Sequence, residues 1–214
     1  MSGILLHGYW RSGAAWRVRI ALNLKGIDYR QAAHDLRSGL QRDPAYLAIA
    51  PHGLVPAIEQ GGCIIIESPA ILEWLEACWP SPPLLPNDPD DAATVRAMAA
   101  LIGCDIHPLN NLRVLDALRA DFAASPDQIH AWAARWITDG FTALESLVAR
   151  HGAPCAFGDR PTLADCYLVP QLYSAARFGV DLCAYPHLVA AGEAASHLPA
   201  FVAAHPNVQP DADP

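Results

Sequence analysis

The sequence predicts an α/β domain with a four-stranded mixed sheet, followed by an all-α domain. Three observations predict this fold class. Short apolar strands alternate with amphipathic helices up to Ala77, a proline-rich stretch covers residues 79–89, and helical patterns without a strand fill the remainder. Five prolines within eleven residues continue neither a helix nor a central strand. We therefore predict two domains, residues 1–82 and residues 83–214.

The first element is a short apolar strand over residues 4–9, which leads into a helix over residues 12–25. Ser12 is a preferred N-cap, and Gly26 suits the position that ends a helix. A strand over residues 29–33 then runs parallel to the first through a right-handed crossover. Because free N–H groups and the helix dipole favour an anion, Ser12 is either a plain cap or a donor to a bound thiolate.

Two further strands, over residues 54–59 and 63–67, are joined by a hairpin at Gln60-Gly61-Gly62. Ser68 is expected to cap the next helix, residues 69–77, with its proline at the first helical position. This order of elements predicts the four-stranded mixed sheet.

The second domain is expected to consist of helices at 90–119, 126–150, 162–178 and 187–203. Thr162 and Asp165 form a capping-box pattern at the start of the third of these helices. We interpret Asp165 as structural, because its carboxylate is placed to bind the amide of Thr162.

Composition and charge exclude several classes of function. A net charge of −8 disfavours nucleic acid and anionic membranes as partners, and no apolar run is long enough to span a bilayer. Met1-Ser2-Gly3 does not resemble a secretory leader, so a cytoplasmic protein is expected.

The six cysteines include no Cys-x-x-Cys pair and predict free, mostly buried thiols. No metal site is expected, because the histidines and cysteines lack ligand-like spacing.

Two motifs stand at characteristic places in the first domain: Val55-Pro56 lies before a strand, and Glu67-Ser68 lies at a helix start. Together with the two-domain order, these motifs resemble a glutathione transferase over essentially the whole chain. The run from Arg11 to Gly26 is similar to the signature of the zeta class, which includes maleylacetoacetate isomerases and bacterial maleylpyruvate isomerases. The maleylacetoacetate type usually reads Ser-Ser-Cys after the arginine. Arg11-Ser12-Gly13 and the run 103–111 look closer to the maleylpyruvate type.

The resemblance implies a thioredoxin-like first domain that binds glutathione, with a cis peptide bond before Pro56. It implies that Val55 binds the cysteinyl backbone, while Glu67 takes the ammonium and Ser68 the carboxylate of the γ-glutamyl group. His52 is a further candidate for this cofactor site. From the second domain, we expect two more cofactor-binding residues on one helix face, four positions apart: His107 and Asn111.

The implied activity is a glutathione-dependent cis-trans isomerisation of maleylpyruvate to fumarylpyruvate in gentisate or salicylate degradation. Ser12 would stabilise the thiolate that adds to the double bond, and Arg11 is the second catalytic candidate. Arg11, Arg113 and Arg177 are expected to bind the dicarboxylate substrate, although Arg113 and Arg177 also suit plain surface positions. Leu112 stands where relatives carry a further arginine.

Two alternatives remain open. One is a maleylacetoacetate isomerase or a general zeta-class transferase, and the other is a non-catalytic binding module with a transferase-like fold. The resemblance also implies a homodimer.

Overall fold

The computed structural model describes residues 3–213, which form two compact units. One unit contains residues 3–84 together with 197–213, and the other contains residues 85–196. The units differ from the predicted domains in two places: the first boundary falls after residue 84 and not after residue 82, and residues 197–213 join the first unit. Met1, Ser2 and Pro214, at the ends of the predicted domains, lie outside the described residues.

The first unit contains the predicted four-stranded mixed sheet. Its strands are β1 (Ile4–Gly8), β2 (Tyr29–Ala33), β3 (Ala57–Gln60) and β4 (Cys63–Ile66), in the order β2-β1-β3-β4. β1 pairs with β2 in parallel, and the other two pairings are antiparallel. The predicted hairpin joins β3 to β4, and both of its glycines have positive φ, as a tight two-residue turn requires.

The α-helices are α1 (Gly13–Leu24), α2 (Pro44–Leu47), α3 (Ser68–Cys78), α4 (Pro89–Ala100), α5 (Leu112–Phe122), α6 (Pro126–His151), α7 (Leu163–Arg177), α8 (Pro186–Ser196) and α9 (Pro199–Ala204). α1, α2, α3 and α9 belong to the first unit, and α4 to α8 belong to the second.

α1 packs on the sheet face that carries Leu6 and Gly8. A Cβ at Gly8 would lie 3.3 Å from the Cβ of Ala15, so glycine permits this close approach. α1 also contacts α3 and α9. Gly26 follows the helix with φ +63°, which confirms it as the residue that ends α1.

The opposite sheet face carries a pair of histidines and contacts α2. His7 Nδ1 lies 2.9 Å from His34 Nε2, and the His34 ring lies tilted against the Tyr46 ring with centroids 4.1 Å apart. Burial, reinforced by His7, lowers the pKa of His34. The Tyr46 hydroxyl donates to the carbonyl of Leu54 at 2.7 Å. This bond ties α2 to the segment that leads into β3.

The prediction of one helix over 90–119 is wrong, because four distinct helical pieces replace it. α4 ends at Ala100, a π-helical turn covers Leu101–Ile106, a 3-10 turn covers His107–Asn110, and α5 begins at Leu112. The π turn brings Ile106 against α6 at Gly140, where a Cβ would lie 2.3 Å from Ile106 Cγ1. The apolar spacing continues through this turn, so the sequence pattern conceals the break.

The predicted helix over 187–203 is also divided. α8 ends at Ser196 in the second unit, whereas α9 starts at Pro199 in the first. A proline suits the first position of a helix and breaks a helix interior, which explains the new start.

The capping box at the start of α7 is confirmed. Asp165 is fully buried, and its carboxylate accepts hydrogen bonds from the amides of Ala156 and Thr162, each at 2.8 Å, and from the Thr162 hydroxyl at 3.1 Å. The carboxylate therefore joins the loop before α7 to the start of the helix.

All six cysteines are free, but the expectation that most are buried is wrong. Only Cys155 and Cys166 are buried, and the other four are exposed. Among residues 3–213, no helix is long and apolar enough to cross a membrane.

Candidate active site

The pairing of three strands brings most of the predicted site residues to one end of these strands, which we call the sheet edge. His7 of β1 pairs with Ala57, the first residue of β3, and Ala57 pairs with Ile66, the last residue of β4. The segments that follow β1 and β4 and the segment that precedes β3 therefore lie at the same edge. These segments carry six predicted site residues: Arg11, Ser12, Val55, Pro56, Glu67 and Ser68.

Ser12 is the N-cap of α1, as predicted. It has extended backbone angles, and its Oγ accepts a hydrogen bond from the amide of Ala15 at 3.2 Å. Because the amide occupies an acceptor position of the oxygen, the hydroxyl proton remains to be donated to another group. The hydroxyl and the positive end of the α1 dipole together favour an anion beside Ser12.

Val55 and Pro56 are joined by a cis peptide bond, as the resemblance implies. Pro56 is buried, and Val55 is half-buried directly before the first residue of β3. The backbone of Val55 thus extends the strand direction at the sheet edge, where an extended peptide can pair with it.

The start of α3 differs from the prediction by one residue. The N-cap is Glu67, whereas Ser68 is the first helical residue, so the expectation that Ser68 caps the helix is wrong. Glu67 has φ +69°, a conformation that is unfavourable for a residue with a Cβ and that is typical of functional sites. This turn exposes the Glu67 carboxylate and places the buried Ser68 at the positive end of α3.

Ser68 contacts a buried arginine of α1. Arg17 is 2% exposed, and its Nη1 donates to Ser68 Oγ at 3.5 Å. A guanidinium only donates hydrogen bonds, so Ser68 accepts from it and retains its own proton for donation. Ser12 and Ser68 thus share one arrangement: each oxygen accepts from a protein N–H, and each hydroxyl is left as a donor.

His52 reaches the same edge through Glu67. Its Nε2 lies 3.4 Å from Glu67 Oε1. His52 Nδ1 is buried, and no described residue forms a hydrogen bond with it. Gly53 follows with φ +63°, and a Cβ there would lie 2.8 Å from Arg42 Nη1, so the turn requires glycine.

Arg11 lies in the turn between β1 and α1, one residue before Ser12. Its Cζ is 5.3 Å from the centroid of the Trp10 ring, a cation–π distance. Burial raises the pKa of Tyr9, and the positive charges of Arg11 and Arg37 oppose this rise. The turn is therefore an electropositive, aromatic segment.

The second unit carries the remaining predicted residues. The expectation that His107 and Asn111 share a helix face is wrong, because His107 opens the 3-10 turn and Asn111 is the N-cap of α5. Asn111 Oδ1 accepts from the amide of Arg113 at 3.2 Å. The Arg113 side chain is exposed on the first turn of α5. Arg177 is the last residue of α7, is also exposed, and lies over the Phe178 ring at 5.9 Å.

Sequence reasoning missed Trp10, Arg17 and Arg19, which pack around the predicted site. Arg17 and Arg19 are almost completely buried on α1, although arginine is normally exposed. The signal was available in the sequence, because both arginines lie among apolar residues in the run Trp16–Leu22.

The sequence of residues 6–83 matches the protein-family model for the N-terminal domain of glutathione S-transferases. A maleylpyruvate isomerase from a Ralstonia species is 50% identical over 209 residues, which cover 96% of this chain and 98% of that protein. A solved holo structure of a maleylpyruvate isomerase, described as a bacterial glutathione S-transferase of the zeta class, superposes with a TM-score of 0.96 at 49% identity. The superposition covers 98% of this chain and 100% of that one. The chain belongs to the zeta class of glutathione transferases.

Other zeta-class relatives are similar over the same length. A maleylacetoacetate isomerase from Pseudomonas aeruginosa is 48% identical over 96% of this chain and 97% of that protein. The structure of a maleylacetoacetate isomerase from Anaeromyxobacter dehalogenans, with glutathione bound in its active site, has a TM-score of 0.89 at 45% identity. It covers 99% of this chain and 98% of that one. The predicted glutathione-transferase fold is confirmed.

Proposed function

We propose that this chain is a glutathione-dependent cis-trans isomerase that converts maleylpyruvate to fumarylpyruvate in gentisate or salicylate degradation. The observation that carries the proposal is the arrangement of Ser12 and Ser68, two hydroxyl donors at two helix N-termini on one sheet edge. The 50% identity to a maleylpyruvate isomerase supports the choice of reaction.

The residues at the sheet edge fit glutathione. Ser68, at the positive end of α3, suits the γ-glutamyl carboxylate, and the exposed carboxylate of Glu67 suits the ammonium of the same group. The backbone of Val55, before cis-Pro56, suits the cysteinyl peptide groups. The buried Nδ1 of His52, which no described residue binds, is a further polar group available to the tripeptide.

Ser12 would hold the sulfur as a thiolate. Its hydroxyl proton is available because its oxygen already accepts from the Ala15 amide, and the α1 dipole acts in the same direction. Bound glutathione would supply a thiolate that adds reversibly to the substrate double bond and so permits rotation about it. Arg11, next to Ser12, would stabilise the negative charge that develops on the substrate oxygen.

Arg113 and Arg177 would bind the two carboxylates of the substrate together with Arg11. Both guanidinium groups are exposed at ends of their helices, and planar carboxylates are the groups that arginine binds with two parallel bonds. His107 and Asn111 are retained as proposed glutathione contacts from the second unit.

The same site would accept maleylacetoacetate, and the relative of that name at 48% identity favours this second candidate. We further propose that the chain works as a homodimer in the cytoplasm, as the resemblance to the zeta class implies. Sedimentation of the purified protein tests the dimer.

The deciding experiment is an isomerisation assay with maleylpyruvate and maleylacetoacetate side by side, each with and without glutathione, and with the products identified. We expect glutathione-dependent formation of fumarylpyruvate, with a higher kcat/KM for maleylpyruvate. A higher kcat/KM for maleylacetoacetate would establish the second candidate. No conversion of either compound, despite glutathione binding, would contradict both and leave a binding module.

A further inference from the structure

The peptide unit on each side of Trp10 is held by a charged side chain. The Trp10 amide donates to Asp211 Oδ2 at 2.9 Å, and the Trp10 carbonyl accepts from Arg19 Nη2 at 2.8 Å. Both distances are those of good charge-assisted hydrogen bonds. Trp10 precedes Ser12 by two residues, so these bonds act on the turn that presents Ser12.

The turn itself is closed by a further bond. The Ser12 amide donates to the Tyr9 carbonyl at 3.0 Å, and Arg19 Nη1 reaches the same carbonyl at 3.5 Å. The backbone from Tyr9 to Ser12 is thus fixed at the carbonyls of Tyr9 and Trp10 by one guanidinium. The position of the Ser12 hydroxyl follows from the position of this backbone.

Arg19 also binds the far end of the chain. It is completely buried, and its Nε donates to the carbonyl of Ala204, the last residue of α9, at 3.1 Å. Burial lowers its pKa to about 10, and the charge of Asp211 opposes this change. Burying a guanidinium against backbone carbonyls is costly, and three such acceptors offset the cost.

The segment that presents Asp211 is itself ordered by Gln209. The Gln209 side chain donates to the carbonyls of Ala203 and His205, at 3.0 and 2.8 Å, and accepts from Gln31 of β2 at 2.9 Å. The segment that follows α9 is therefore fastened through Gln209 to α9 and to the sheet. Asp211 is a fixed acceptor for the Trp10 amide.

We propose that Arg19 and Asp211 are positioning residues for the Ser12 hydroxyl, so that the C-terminal segment is part of the machinery that activates the thiol. The inference rests on the proposed function, in which Ser12 stabilises the thiolate of bound glutathione. A displacement of about 1 Å in such a group can reduce a rate by about 100-fold, so losing one of the two clamps is expected to reduce the rate measurably.

The test compares three variants on one segment: Asp211→Ala, Asp211→Asn and Asp213→Ala. Asparagine keeps an oxygen that accepts from the Trp10 amide, whereas alanine does not. Asp213 is the matched control, because its exposed carboxylate pairs with Arg37 and does not touch the turn. The readouts are the pKa of bound glutathione, from the ultraviolet absorbance of its thiolate, the glutathione Kd, and kcat.

We expect Asp211→Ala to raise the pKa of the bound thiol by about 1 and to lower kcat at neutral pH about tenfold. The glutathione Kd should change little, because Val55, Glu67 and Ser68 are untouched, and kcat should recover at higher pH. Asp211→Asn and Asp213→Ala should behave like wild type.

Wild-type behaviour of Asp211→Ala would overturn the inference, and so would an equal loss in Asp211→Asn, which would indicate a charge effect. An unlowered thiol pKa in the wild-type protein would contradict the proposed function itself. That result is read before any variant is compared, so the two failures are distinguishable.

Discussion

Replacing Ser12 by alanine removes two interactions whose contributions can be separated. The first is the cap on α1, a 3.2 Å bond from the Ala15 amide to Ser12 Oγ, which contributes about 1 kcal/mol to stability. The second is the hydroxyl donated to the glutathione thiolate, a bond to a charged group that contributes about 1.5–3 kcal/mol. Losing the second interaction would raise the pKa of the bound thiol by about 1–2.

We therefore expect Ser12→Ala to lower kcat/KM about 10- to 100-fold at neutral pH, with part of the loss recovered at high pH. Ser12→Thr keeps a hydroxyl and should retain most of the activity. The assay is the glutathione-dependent conversion of maleylpyruvate, together with the absorbance of the bound thiolate.

Ser125→Ala is the matched control. Ser125 caps α6, and its Oγ accepts from the amide of Gln128 at 3.3 Å, so its loss should cost about the same stability. Ser125 has no part in the proposed chemistry, and kcat/KM should not change. An equal loss of activity in both variants, or an unchanged thiol pKa in Ser12→Ala, would contradict the role of the Ser12 hydroxyl.

Three further predictions concern the substrate, the second unit and the effect of pH. Arg113→Met should raise KM for maleylpyruvate about tenfold without changing glutathione Kd, because it removes a partner of a substrate carboxylate. Arg119→Met, on the same helix and paired with Asp116, should change neither value, and an equal KM in the two variants would contradict the role of Arg113. Asp165→Ala removes three buried hydrogen bonds and should lower the free energy of unfolding, measured in urea, by about 3 kcal/mol. Asp181→Ala removes an exposed cap and should lower it by less than about 1 kcal/mol, so similar losses in the two variants would contradict the structural role of Asp165. Because the pKa of His34 is lowered in the folded state, the unfolded chain binds more protons as pH falls below 6.5, so the free energy of unfolding should fall there. His34→Asn should flatten this dependence of stability on pH, and an unchanged dependence would exclude His34 as its source.

The first unit could be predicted from the sequence because its signals are local. Ser12 is a side-chain cap, Gly26 ends α1 in the left-handed conformation, and two glycines form the β3–β4 turn. Each of these residues has one strong conformational preference, so the pattern along the chain was sufficient.

The errors fall where distant contacts decide the structure. Glu67 takes a positive φ that its own residue type does not favour, so the cap of α3 was assigned one residue too late. The π turn at Leu101–Ile106 depends on space at Gly140 of another helix. The return of residues 197–213 to the first unit depends on Arg19 and Asp211, and no local pattern reports such a pairing.

The same limit applies to the site. The resemblance to glutathione transferases, carried by local motifs, implied the candidate residues that follow or precede strands at the sheet edge, and the order of elements fixes where these residues lie. It missed Arg17 and Arg19, whose importance lies in what they contact: Ser68 Oγ for the first, and the carbonyls before Ser12 for the second.

The central claim is that the sulfur of glutathione is the nucleophile and that the protein only activates it. The most direct measurement is the rate of fumarylpyruvate formation without glutathione, with glutathione, and with S-methylglutathione, which retains the groups that the sheet edge binds but has no thiol. We expect the protein to convert maleylpyruvate only when glutathione is present, and we expect the S-methyl compound to be a competitive inhibitor. Conversion without glutathione, or with S-methylglutathione in its place, would contradict the central claim.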